Sequence, residues 1–213
     1  MSADRPTRFA RAQRGALADA LEQAGPEAPT LCDGWTTRDL AAHVILRERR
    51  PDAAPGIMVP ALAGWTARVG ARIARRDYAT LVGQVRSGPR FSPLALGPLD
   101  EATNLTEFFV HTEDVLRAQP DWRARPIGDD LAAALWQQLR RHAARALRSQ
   151  PYRITLSAPG HGTRTSGEGP AVTVSGAPGE LMLFVVGRQA VADVELTGPL
   201  DALTTLRGAR LGV

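Results

Sequence analysis

Two residue types that bind metals stand four positions apart in the stretch Asn104-Leu105-Thr106-Glu107-Phe108-Phe109-Val110-His111. On an α-helix, positions i and i+4 lie one above the other on one face, so a carboxylate and an imidazole held there could grip one ion from the same side. Such a pair needs a third donor from another element, and His43 is the candidate. Two histidines and one glutamate form a familiar ligand set of catalytic zinc, which leaves one coordination position for water or substrate. The same spacing also arises as an ordinary ion pair on a helix surface or a buried polar pair. Taken alone, the Glu107/His111 spacing leaves both readings open.

The elements that must position these groups are legible as periodic segments. Residues Thr7 to Gln23 have a helical period through Phe9, Leu17 and Leu21, ended by Gly25-Pro26 and Pro29. Thr36 followed by Asp39 has capping-box spacing, with Asp in place of the usual Glu, so a second helix starts there. Leu40, Val44 and Arg47 share a side with His43, and Pro51 closes this helix near Arg50. Pro60 to Ser87 reads as a third helix, interrupted or bent near Arg76-Asp77, followed by a loop to Leu96. A fourth helix from Pro98 or Leu99 to about Ala118 carries the stripe Asn104, Glu107, His111 and Val115. Polar groups inside an apolar stripe are what a site within a helical bundle looks like. Asp129 to Gln150 is a fifth helix, apolar through Leu131, Leu135, Leu139, Ala143 and Leu147.

The pattern changes at Pro151. Residues 152–156 and 171–174 alternate like strands around a Gly-rich loop from Pro159 to Pro170. Pro178 to Val186 could be a strand or a buried helix, and Pro near its start with Gly187 at its end favours the helix. Val194 to Thr197 is a further strand, and Pro199 to Arg207 a short helix. The expected organisation is α+β: a metal-binding helical bundle over residues 1–150 and a small α+β domain over 151–213.

Bulk composition narrows the function class. With 44% hydrophobic and 23% charged residues, the chain reads as a soluble globular protein without a membrane span. Its start lacks an apolar signal region, and its single cysteine, Cys32, rules out an internal disulfide framework, so a cytoplasmic location is expected. Every basic residue is Arg and none is Lys, which together with the Ala, Gly and Pro load reads as the imprint of a GC-rich genome. A net charge of +4 gives no reason to expect nucleic-acid binding. The arginines 140, 141, 145 and 148 read as the solvated face of the fifth helix.

Three segments carry a resemblance: LCDGWTTRDLAAH at Leu31 to His43, the E-x-x-x-H at Glu107 to His111, and GAPGELMLFVVGR at Gly176 to Arg188. In order, they resemble the mycothiol-dependent maleylpyruvate isomerase family over nearly the whole chain. An actinobacterial metal-binding subfamily is the nearest likeness, since RERRPDAAPG follows His43 directly there. The resemblance implies an N-terminal DinB-like up-down bundle followed by a sterol-carrier-like α+β domain. It implies His43, Glu107 and His111 as ligands of zinc or another divalent metal, and mycothiol as thiol cosubstrate. It also implies isomerisation through thiolate addition to a conjugated double bond, or S-transfer to an electrophile, with Arg188 as a catalytic arginine clamping a carboxylate.

Other residues keep two readings each. Arg188 could instead satisfy the carbonyls at a helix end. Arg47 could contact the cosubstrate or an anionic substrate, or be a solvated arginine. Asn104 could help the site as a partner of Glu107, or mark a helix start. Trp35 reads as a hydrophobic staple, Cys32 as inert packing, and Asp114 as a solvated charge. The expected partners are a small thiol and an electrophilic substrate, with no nucleic acid and no membrane, in a monomer or homodimer. The alternative function is a non-catalytic metal-binding protein whose small domain binds a ligand or partner.

Overall fold

A computed structural model describes residues 8–89 and 97–212. It is a mixed α+β fold, mostly helical, with one four-stranded sheet. The expected loop residues 90–96 and the chain start before Arg8 lie outside the described residues. The chain folds as two compact units, Met1–Arg123 and Ala124–Val213.

Among the described residues the first unit holds five helices: α1 (Arg8–Ala24), α2 (Thr37–Arg49), α3 (Ala63–Ala74), α4 (Tyr78–Ser87) and α5 (Gly97–Leu116). Two short 3₁₀ turns, Ala54–Ile57 and Pro60–Leu62, link α2 to α3. Helix α1 packs along α5, and α2 packs against α3 and α4. Between them Leu17, Leu21, Leu40, Val44, Ile45, Leu81, Val85, Phe108 and Val115 form one core. The helical stretch expected over 60–87 is interrupted at Arg76-Asp77, because the Asp77 side chain accepts from the Thr80 backbone N–H at 2.9 Å and starts α4 afresh.

Helix α2 begins as its sequence dictates. Thr36 is the N-cap, its side chain accepting from the Asp39 N–H, while the Thr36 N–H donates to Asp39 Oδ2 at 3.0 Å. The two orphan donors of the first turn are thus satisfied reciprocally. A buried ion pair between Arg14 of α1 and Glu48 of α2 joins these helices. The Arg14 guanidinium also lies 4.4 Å from the Phe108 ring centroid of α5, next to Glu107 in the chain.

The second unit contains α6 (Asp129–Ala146), strands β1 (Arg153–Ala158), β2 (Gly162–Ser166) and β3 (Ala171–Ser175), α7 (Pro178–Val185), β4 (Glu195–Thr197) and α8 (Leu200–Gly208). The strand order is β2-β1-β3-β4, with β1 and β3 parallel and both outer pairs antiparallel. Ile154, Leu156, Val172 and Val174 are buried on one face, and residues 181–185 of α7 are wholly enclosed.

Helix α6 packs along α7 and touches β2, within the unit Ala124–Val213. Its apolar stripe is buried on the side of the sheet-bearing unit, a choice that periodicity cannot express. The Gly-rich segment 159–170 also holds a strand, β2. Gly160 takes φ 78° in the tight turn from β1, and at Gly167 a Cβ would fall 2.3 Å from the Tyr152 carbonyl oxygen. Those glycines bracket the strand without interrupting it. No helix among the described residues is long and apolar enough to cross a membrane.

Candidate metal centre

His43 stands in the second turn of α2, and Glu107 and His111 lie one turn apart on α5. The structure brings all three together: His43 Nε2 is 3.4 Å and His111 Nε2 3.2 Å from Glu107 Oε1. One donor atom from each lies within 4.8 Å of the other two. A tetrahedral ion with bonds of about 2.1 Å spaces its ligand atoms about 3.4 Å apart. An imidazolium donating to a carboxylate would close to about 2.7–2.9 Å. Both gaps lie close to that edge, and the three donors can reach one divalent ion.

His111 is held from behind. Its Nδ1 is 2.9 Å from Asp114 Oδ2, one turn along α5. A carboxylate at Nδ1 keeps a ring proton there, so that the Nε2 proton is the one an ion would displace, leaving the Nε2 lone pair directed toward Glu107 and His43. Asp114 is completely buried, and the Cys32 thiol donates to the same Oδ2 at 3.3 Å. The backbone secures this contact, since Leu31 N–H donates to the Asp114 carbonyl at 3.0 Å. Cys32, His111 and Asp114 form a second group of three close donors. The 2.9 Å between His111 and Asp114 is the length of a hydrogen bond, so this group backs the first.

Asp114 is therefore not a solvated charge, and Cys32 is not merely packing. The signal for Asp114 was its i+3 spacing from His111, which on a helix reads equally as an exposed polar pair. Trp35 sits beside the site, its ring centroid 5.0 Å from that of His43, and is 36% exposed.

Glu107 has its own support. Arg47 Nε lies 3.5 Å from Glu107 Oε1. The rest of that guanidinium donates to Asn104 Oδ1 at 2.6 Å and to the Thr103 carbonyl at 3.1 Å. Asn104 is buried and donates in turn to Asp100 at 2.6 Å. Asn104 thus reaches Glu107 through Arg47.

Burial by itself would raise the Glu107 pKa. Hydrogen bonds from His111 and His43, with the charges of His111 and Arg47, outweigh it and hold the carboxyl well below the usual range. Burial would likewise lower the His111 pKa. Its bonds to Asp114, Cys32 and Glu107 win, and the imidazole is pushed well above its ordinary value. The metal-free centre is thus a carboxylate facing a protonated His111, whose proton an ion would displace.

Arg188 follows α7 in the second unit. Its Nη1 donates to the Val186 carbonyl at 2.9 Å, and its side chain is half-buried.

No protein-family model matches the chain, and no curated protein matches it significantly in sequence. Two solved structures do match in shape. One is the mycothiol-dependent maleylpyruvate isomerase in a histidine-to-alanine mutant form, with TM-score 0.63 and 14% identity over 92% of this chain and 93% of that one. The other is the mycothiol-dependent maleylpyruvate isomerase, with TM-score 0.53 and 15% identity over the same shares. The chain has the fold of these structures.

Proposed function

We propose that this chain is a divalent-metal-dependent enzyme of the zinc class that uses a low-molecular-weight thiol, mycothiol first, on a small electrophile by isomerisation or S-transfer. The observation that carries the reading is the convergence of His43, Glu107 and His111, with one donor atom from each within 4.8 Å of the others. The shared fold supports the choice of thiol and of isomerisation. On this reading residues 8–123 are a DinB-like bundle and residues 124–212 contain a sterol-carrier-like module.

A resident ion would lower the pKa of a thiol enough for it to react as thiolate at neutral pH. The chain's own residues do the rest. Asp114 fixes the tautomer of His111, and Arg47 holds the Glu107 carboxylate while Asn104 and Thr103 hold Arg47. The half-exposed Trp35 ring offers an apolar wall beside His43 for the substrate. Arg47 is assigned to Glu107 first, since its donors are already engaged there. Arg188 is assigned to a substrate carboxylate, which a guanidinium binds through two parallel hydrogen bonds.

Elemental analysis of the purified protein tests the metal. About one ion per chain is expected, falling to near zero in His43→Ala. Mycothiol-dependent turnover of maleylpyruvate or of an epoxide tests the chemistry, and metal-stripped protein should be inactive until an ion is restored. Stoichiometric metal without turnover of any such substrate would favour a non-catalytic metal-binding protein. Full turnover after stripping would overturn the reading.

A further inference from the structure

The second unit contains a groove that the metal centre does not use. It lies between α6 and the β1–β2 hairpin and is lined by Arg140, Ala143, Leu147, Leu156, Arg164 and Thr165, with a volume of about 100 Å³. Arg164 projects from β2 across the Trp136 ring, its guanidinium carbon 4.9 Å from the ring centroid. Its Nη2 donates to the Trp136 carbonyl at 3.3 Å. Its Nε is buried and has no hydrogen-bond partner among the described residues. A buried donor left unpaired is destabilising, the more so when the group is charged. Arg140 comes one turn after Trp136 on α6, and neither arginine has a carboxylate partner among the described residues.

We propose that this groove binds a short-chain carboxylate, its anionic head on Arg164 and Arg140 and its tail on Ala143, Leu147 and Leu156. The head supplies the acceptor that Arg164 Nε lacks. The floor explains why the anion carries hydrocarbon: Leu147 and Leu156 are nearly fully buried aliphatic side chains, and neither satisfies a phosphate oxygen. A volume of about 100 Å³ is several times what a single water needs, which leaves room for a small carboxylate. Thr165 adds a hydroxyl at the rim. The site stands apart from the thiol reading and requires no metal.

The test follows backbone amide NMR shifts of the full chain during titration with butanoate, with 1-butanol and with inorganic phosphate. Butanoate is expected to give saturable shifts at Ala143, Leu156 and Thr165, unchanged in metal-stripped protein. Arg164→Gln should weaken binding about tenfold, and Arg140→Gln, at an exposed position, should do so without any risk to the fold. Butanol binding as tightly as butanoate, phosphate binding more tightly, or an unchanged affinity in both variants would each overturn the assignment.

Discussion

Replacing Asp114 by asparagine keeps the shape of the side chain at His111 Nδ1 while removing its charge. The amide can turn its NH₂ toward the ring, which would move the imidazole proton to Nε2, where the ion must bind. Metal affinity in Asp114→Asn should therefore fall about 10- to 100-fold, measured by competition with a chromophoric chelator. Cys32→Ser preserves a donor to Asp114 Oδ2 and should change affinity much less. Equal losses in the two variants would mean that the thiol itself is a ligand. The same contacts set a pH dependence in metal-free protein. His111 has a folded-state pKa raised well above 6.5, so its stabilising contribution is complete below about pH 6.5 and fades as pH climbs through the raised value. Glu107, held well below 4.5, contributes above that range and loses its contribution as pH drops through its depressed value. Urea midpoints of metal-free wild type minus those of His111→Gln should decline as pH rises above about 6.5. A rising difference would contradict the protonated-His111 centre.

At the level of the helix, the position of His43 depends on where α2 starts. The Thr36/Asp39 box satisfies the first-turn donors, and Thr36→Ala should cost about 1 kcal/mol, read as a lower urea midpoint. Because His43 lies two turns in, metal affinity should weaken only slightly. A loss as large as that of His43→Ala would mean the cap fixes the ligand and not merely the helix. This helix was readable in advance because capping chemistry is local: two side chains three positions apart suffice. The i, i+4 pair on α5 was readable for the same reason. Asp114 was not, because its partners Leu31 and Cys32 stand more than eighty positions away in the chain. Arg47 offered only its type and helix side. Its engagement with Glu107, Asn104 and Thr103 arises where α2 meets α5, and no helical wheel displays such a meeting.

Across the whole chain, what sequence could not express was partnership between elements. The stripe of α6 announces a helix with one apolar face, yet Leu135 and Leu139 would look the same whether buried in a bundle or beside α7. Strand β2 is short, exposed on its outer edge and bracketed by glycines, so it lacks the apolar alternation that marked β1 and β3. The division into two units has a measurable consequence. All three proposed ligands lie in Met1–Arg123, so an ion binding only the folded centre stabilises the elements that carry it, by about 4 kcal/mol when free ion exceeds Kd a thousandfold. Amides of α2 and α5 that exchange by opening of that unit should then slow about a thousandfold on metal addition. Amides of β1 and β3 draw their protection from a core of Ile154, Leu156, Val172, Val174 and α7, and should exchange at the same rate with and without the ion. Equal protection of both sets would mean that the two units open as one. No protection of either would mean that His43, Glu107 and His111 hold no ion.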